Sequence, residues 1–522
     1  MNTHPCHAVM QRPLTVGILG GGVAGATVAL RLADLGINTL LIEASEGLLN
    51  GPPICHLHAG GNLYREISDS QCLTLLRQSI DSVRAYPHSI NHRPTVIATP
   101  ITDSNDASAL LPRLKQVAQE YARLVAEDAA NKVLGEPDDY YRLYSREQFL
   151  ALAERPLPKK AHSHDDWLIP LAHHLDAETL KFPLILVQEY GWSLFRMAAT
   201  ATLALQDSPH CQLLLNTRAI ELKQAADGWQ IHTQSSAQAN TQANTHPRDA
   251  NGLDASAHVE RVQVHKVNFL VNACGFRTGL VDDMAGFSRE RLVEYKAAYV
   301  AHWQTAGDWP EVIFHGPRGT PKGMAQLTPY PQGVFQLHGM TDSITLFKNG
   351  LVASSTLSAQ PQLPKAYQRQ IDHGWQQDDI TQRTQGAIHH MARILPAFAS
   401  ATLGGKPLFG AQQIPGSDPA LRAADVSFEG AHYARVEIVK ASSALTAADR
   451  IVAQLTSLGW LKWSCIEQEK SLEPAKSLEP VSPRLSPQLA ITQQQSPAQV
   501  EALAVQLAQT RGYPAALALN MD

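Results

Sequence analysis

Residues 15–43 read TVGILGGGVAGATVALRLADLGINTLLIE, and this stretch decides the fold. Thr15 to Leu19 is a short apolar run and reads as a strand. A glycine turn follows at Gly20-Gly21-Gly22-Val23-Ala24-Gly25. Apolar Val28, Leu32 and Ala33 then recur at helical spacing, and Gly36 stands where a helix C-cap glycine is expected. Thr39 to Ile42 is a second strand, ending at Glu43. The sum is a βαβ unit of about 30 residues. Gly20, Gly22 and Gly25 fit the GxGxxG pattern in the context it requires, between a strand and a helix and with an acid after the second strand. Gly20 permits the tight turn, Gly22 lets the backbone approach a pyrophosphate, and Gly25 lets the helix pack close to the strand. The N–H groups of Val23 and Ala24 open the helix toward the phosphates. Glu43, followed by Ala44, accepts hydrogen bonds from ribose hydroxyls and repels a 2′-phosphate.

Outward from this unit, residues 44–62 are rich in Gly, Pro and His and read as a loop. Helices are predicted from about Asp69 to Ala85, from Pro112 through a stripe of Leu114, Val117, Ala118, Tyr121, Leu124 and Val125, and after a Ser145/Gln148 capping box. Gly191 to Leu205 reads as helical. CQLLLNTRAIELK gives one or two strands, with Asp227-Gly228 a hairpin signal before WQIHT. Residues 234–257 are polar and low in complexity and read as an insertion at a hairpin tip. Strands resume at VERVQVHKVNFLVNACG, KAAYVAHW and GVFQLHG, with a polar helix near 365–395. VEIVKASSALTAADRIVAQL reads as strand, Ser-rich turn and helix. The repeat of KSLEP marks a linker, and PAQVEALAVQLAQTRGY an amphipathic helix, packed on the core or else docked on a partner or a membrane.

With 44% hydrophobic and 17% charged residues, the 522-residue chain has the composition of a globular protein of several folding units. Its net charge of −5 offers no basic face for nucleic acid. The six cysteines, Cys6, Cys55, Cys72, Cys211, Cys274 and Cys465, have no CxxC spacing and read as reduced thiols. No signal segment and no run of about 20 apolar residues is present, so a cytoplasmic location is expected, with peripheral contact at the inner face of a membrane left open. His162, His164, His173 and His174 lie near Asp165 and Asp166, but their spacing matches no recognised metal site, and no metal is expected.

Five stretches together resemble the D-amino-acid-oxidase-like superfamily of FAD-dependent oxidoreductases, over roughly residues 14–456. They are the glycine turn with Glu43, CHLHAGGNLYREISDSQCLTLLRQSIDSVR, EYGWSLFRMAATATLAL with CQLLLNTRAIELK, VNFLVNACGFRTGLVDDMAG, and VEIVKASSALTAADRIVAQL. The pattern is most similar to L-2-hydroxyglutarate oxidase and, more distantly, to malate:quinone oxidoreductase. The resemblance implies an α/β (α+β) chain, with a glutathione-reductase-like Rossmann FAD domain interleaved with an antiparallel-sheet substrate domain. The expected segments are FAD-binding parts at 14–95, 187–286 and 401–460, a helical or substrate segment at 96–186 and a substrate domain at 287–400. A linker at 467–490 and a helical tail at 491–522 follow. FAD is the implied cofactor. Its implied contacts are the residues of the glycine turn, Glu43 and Ala44, then His58, Ala59 and Gly60 beside the isoalloxazine and Ala219 near the adenine. Ala273, Cys274 and Gly275 follow, with Ser442, Ser443 and Leu445 at a helix N-terminus aimed at the flavin pyrimidine.

The implied reaction is hydride transfer from a small 2-hydroxy acid or amino acid to flavin N5. Such a site needs a group to take a hydroxyl proton and a cation for a carboxylate. His58 and His338 are candidates for the first role, Lys296 and Lys440 for the second, and Tyr299 for a substrate hydrogen bond. Cys55, His56 and His58 are candidates for a covalent flavin link. Two departures stand out. The R-G-E-Y-Y-like strand of the hydroxyglutarate enzymes is here Lys296-Ala297-Ala298-Tyr299, and Gln412 and Gln413 follow Gly410 where many amino-acid oxidases carry an arginine. A flavin-binding protein with a degenerate redox site, and an NAD-dependent dehydrogenase, are the competing readings. The electron acceptor, whether oxygen, a quinone or a protein, is left open.

Overall fold

The computed structural model describes residues 7–52, 67–235, 261–464 and 485–521. Its first layer is a six-stranded sheet in the spatial order Val426–Glu429, Tyr433–Val436, Phe269–Asn272, Thr15–Leu19, Asn38–Ile42, Cys211–Leu214. All neighbours are parallel except Val426–Glu429, which closes one edge antiparallel. Parallel strands are covered on both faces and so read as continuous apolar runs. Val16, Ile18, Leu41, Phe269 and Val271 are accordingly all fully buried.

One face is covered by helix Val23–Asp34, which packs against helices Ala444–Ser457 and Leu194–Gln206. The other is covered by a three-stranded antiparallel sheet, Thr217–Ala225, Gly228–Ser235 and Arg261–Val267. The two sheets meet closely at Gly17, where an added Cβ would lie 2.9 Å from Val267. The expected hairpin turn is present, with Gly228 at φ +141°. Gln234 and Ser235, read as part of the insertion, instead continue this strand, because each pairs in register with Arg218/Val262 and Thr217/Arg261. The rest of the insertion lies outside the described residues.

The second layer is a larger, mostly antiparallel sheet. Its order is Leu351–Ala353, Arg291–His302, Val334–Gly339, Ala325–Tyr330, Glu311–Phe314, Thr95–Pro100, Leu180–Val187, Tyr141–Tyr144. Thr402–Leu403 and Leu408–Pro415 also pair with the long strand Arg291–His302. Only Glu311–Phe314 and Thr95–Pro100 run parallel. Helix Gln377–Ala392 packs on this sheet. The polar helix expected near 365–395 is in fact two, Lys365–His373 and Gln377–Ala392, broken at Gly374 with φ +82°.

Local signals worked where a side chain fixes the backbone. Ser145 and Gln148 make both halves of the expected capping box. Pro112 sits in the first turn of Leu111–Glu127, and Gly36 follows its helix at φ +74°. Helix Leu194–Gln206 begins later than Gly191, because Gly191–Trp192 pairs with Ile90–Asn91 and Ser193 caps the helix. The linker expectation fails at its end: Leu489 is fully buried and Ala490–Gln493 is helical.

Candidate functional site

Gly20, Glu43 and Ala273–Gly275 all follow the carboxyl ends of parallel strands, the side of an open α/β sheet where ligands bind. Gly20 adopts φ +96°, and a Cβ there would stand 2.6 Å from the Ala273 carbonyl oxygen. At Gly25 an added Cβ would fall 1.8 Å from the Gly20 carbonyl oxygen, so the helix and the turn touch through backbone alone. Gly22 is different. It is the N-cap of Val23–Asp34, and among the described residues no side chain caps that helix and a Cβ on Gly22 would meet nothing within 4 Å. The crowded glycines are needed by the fold, and the uncrowded one borders open space at a helix N-terminus.

Glu43 is half-buried and accepts from the Gly21 N–H at 2.5 Å and from the Ser45 N–H at 2.8 Å. Ser45 Oγ also donates to it. Its backbone is held by Leu214 and Thr217. Ala44 is exposed beside it. Ala219 lies in the strand after Thr217, next to a bulge, and packs near Leu19 and Ile42. Cys274 Sγ donates to the Leu19 carbonyl at 3.3 Å. Burial, with the charge of Glu43 adding, pushes its thiol up to about 12, so it is a packing group and not a nucleophile.

At the other end of the site, Ala441–Ser443 form a short 3-10 turn that runs into helix Ala444–Ser457. Leu445 is buried in the core. Ser443 Oγ donates to Gln78 at 2.8 Å, and Ser82 donates to the Ser442 carbonyl at 3.0 Å. Both serines fix the turn against helix Asp69–Ala85, and no side chain caps the helix that follows.

Lys296 and Gln412, the two departures read from the sequence, touch each other. Lys296 Nζ donates to Gln412 Oε1 at 2.8 Å and pairs with Glu294 at 2.6 Å, which also binds Arg318. Gln412 Nε2 donates in turn to the Val439 carbonyl at 2.6 Å, and Gln413 to the Val436 carbonyl at 3.0 Å. The glutamines therefore tie the large sheet to the segment that leads through Lys440 into the serine turn. Burial pushes Lys296 down to about 8, with Glu294 opposing and Arg318 adding to the shift. On Glu294 burial acts upward, and Lys296 and Arg318 together overcome it, so its carboxyl titrates below the usual range.

Lys296 and Tyr299 are three residues apart on one strand, and so project from opposite faces. Tyr299 is fully buried, donates to the Ile344 carbonyl at 2.8 Å and receives Arg383 Nε at 2.6 Å. It faces the core beneath helix Gln377–Ala392 and is not brought together with Lys296. His338 is half-buried on the neighbouring strand, opposite Gln326. Lys440 is half-buried just before the serine turn. His56, His58, Ala59, Gly60 and Cys55 lie outside the described residues. Pro52 stands against Gly410, where a Cβ would approach it to 2.9 Å, and Gly410 is the register partner of Lys296.

Three solved structures share this architecture. L-amino acid deaminase from Proteus vulgaris matches with a TM-score of 0.52 at 12% identity, over 87% of this chain and 95% of that one. Glycine oxidase from Geobacillus kaustophilus matches with 0.51 at 12% identity, over 87% and 95%. NikD, an unusual amino acid oxidase essential for nikkomycin biosynthesis, matches with 0.50 at 14% identity, over 87% and 96%. The fold of this chain is the one these three proteins share. No family model and no curated protein matches the chain.

Sequence reasoning missed the group that joins the two layers. Asp282 is fully buried and accepts from Tyr433 at 2.8 Å and Arg435 at 2.6 Å, and it pairs with Arg291. Tyr433 also receives Asn272 at 2.9 Å. An acid inside VDDMAG carries no local sign of partners 9 and 153 positions away. Among the described residues no group of three His, Cys, Asp or Glu is placed to hold a metal ion. In the histidine cluster, Asp166 caps its own helix, His173 bonds the Arg155 carbonyl and His174 stacks on Trp309. Among the described residues no helix is long and apolar enough to cross a membrane.

Proposed function

We propose that this chain is an FAD-dependent oxidoreductase acting on a small 2-hydroxy acid or amino acid. The observation that carries the reading is the glycine turn: Gly20 and Gly25 are locked against backbone, while Gly22 opens an uncapped helix N-terminus onto space that no described residue fills. This is what a pyrophosphate requires. FAD bound there supplies the hydride acceptor at N5. Gly20, Gly22, Gly25 and the N–H groups of Val23 and Ala24 hold the pyrophosphate, and Glu43 offers its carboxylate to the ribose. Ala44 and Ala219 border the adenosine, and Ala273–Gly275 the centre of the cofactor. The helix after Ser442 and Ser443 places its positive end toward the flavin pyrimidine. FAD-binding parts at 14–95, 187–286 and 401–460 would then alternate with substrate parts at 96–186 and 287–400.

On the substrate side, Lys296, the register partner of Gly410 and paired with Glu294, is our candidate cation for a carboxylate. His338 is the described candidate for proton removal, with His58 a second and Lys440 a further cation. L-2-hydroxyglutarate and malate are the first substrates to try, with oxygen, a quinone and a protein as acceptors. The test is spectroscopic. The purified protein should show the bands of oxidised flavin, and anaerobic addition of the right acid should bleach them. A colourless protein that takes up no added FAD would overturn the proposal. A yellow protein bleached by no acid in a broad panel would show a flavin-binding protein without this redox activity.

A further inference from the structure

The tail beyond residue 484 packs where no Rossmann unit needs it. Helix Pro497–Thr510 lies along helix Leu194–Gln206, and its Val500, Ala504 and Ala508 join Phe195, Ala298, Val300, Leu408 and Leu517 in one buried cluster. The cluster contains residues of both layers. At the end of the helix, Arg511 turns toward the loop that follows Glu43. Its Nη2 donates to the Leu48 carbonyl at 2.7 Å and its Nη1 to the Leu49 carbonyl at 2.9 Å. Its guanidinium also stands 5.9 Å from the Phe195 ring.

That loop grips the glycine turn. The Leu49 N–H donates to the Gly21 carbonyl at 2.8 Å, and Leu48 Cδ2 occupies the space a Cβ on Gly21 would need, 2.6 Å away. The Gly21 N–H is held by Glu43 from the other side. Leu49 achieves this at φ +52°, a left-handed conformation that a leucine adopts only where surroundings impose it. The fork of one guanidinium on two successive carbonyls is such a constraint, and a lysine, with one point charge, cannot reproduce it.

We infer that Arg511 is a positioning residue for the dinucleotide: from the C-terminal tail it fixes loop 44–52, and through Leu48 and Leu49 it fixes the glycine turn in its binding-ready shape. The inference rests on the reading of that turn as the FAD site. Its test is FAD titration of apoprotein, followed by fluorescence, with thermal melting of each apoprotein alongside. Arg511→Ala should raise the FAD Kd by about tenfold or more, and Arg511→Lys by a smaller factor, about threefold. Asn520→Ala, which breaks a tail contact with Arg196 away from the loop, should leave Kd within about twofold of wild type. If Arg511→Ala does not fold, the lysine variant decides the matter. Unchanged Kd in the Arg511 variants, or an equal rise in Asn520→Ala, overturns the inference while leaving the FAD reading intact. A wild-type protein that binds no FAD overturns both.

Discussion

Gly22 and Gly25 differ by three positions and should fail in different ways. Gly25→Ala forces a methyl into the Gly20 carbonyl, an overpacking that costs about 3 kcal/mol in folding stability, measured by denaturant unfolding of the apoprotein. Gly22→Ala meets no atom of the described residues and keeps an allowed φ of −66°. It should change apoprotein stability by less than about 1 kcal/mol yet weaken FAD binding by about tenfold or more. Equal loss of stability in both variants would remove the distinction. Lys296 gives a pH prediction. Its folded value is near 8, below the ordinary lysine value, so between the two the unfolded chain holds a proton the folded chain has released. Stability therefore rises from about pH 8 toward the unfolded pKa, by on the order of 2 kcal/mol, and has no slope from this group below pH 8. Lys296→Met should remove that rise, read as the difference between the two stability curves. The glycine turn was readable because its strand, glycines and helix are consecutive in sequence, although Gly20 also abuts the distant Ala273. The role of Lys296 was not, because its partners Gln412 and, beyond it, Val439 are distant in the chain.

At the scale of elements, strands and helices followed from periodicity and caps, whereas their faces did not. The strand containing Lys296 and Tyr299 was legible, but the reading placed both side chains at one site, and the pleat separates them. The tail helix was expected to pack on the core, and does so, but the loop that its last residue holds had no local signal. Asp282 joins helix Thr278–Ala285, strand Arg291–His302 and strand Tyr433–Val436. Asp282→Asn removes the buried carboxylate that Arg291 and Arg435 share, leaving them only Glu437 at 3.6 Å and Glu429 at 3.1 Å, and should destabilise the protein by about 3–5 kcal/mol in chemical denaturation. A cost under about 1 kcal/mol would mean that Glu437, which lies 3.6 Å from Arg291, takes over.

At the scale of the molecule, the chain crosses repeatedly between the parallel and the antiparallel layer, and no cut frees one without breaking the other. Circular dichroism and tryptophan fluorescence should report coincident unfolding midpoints, since the chain crosses between the layers and the cluster of Phe195, Ala298, Val300 and Val500 is built from both. Two separated transitions would show that the layers fold independently. The general architecture was within reach of the sequence through its resemblance, whereas the joints between layers, built from Gln412, Gln413, Asp282 and Arg511, come from contacts 9 to 463 positions apart that no local pattern announces.

The neighbours of strand Thr15–Leu19 set a timetable for the nascent chain. One side pairs with Asn38–Ile42 at once, but the other waits for Phe269–Asn272. At about 5–20 residues per second, a ribosome takes roughly 10 to 45 seconds to supply that partner. Throughout this interval that edge of the strand, with Val16 and Ile18 destined for the core, is open to other chains. The yield of native protein in cells should thus depend on translation speed and on chaperones that shield this edge.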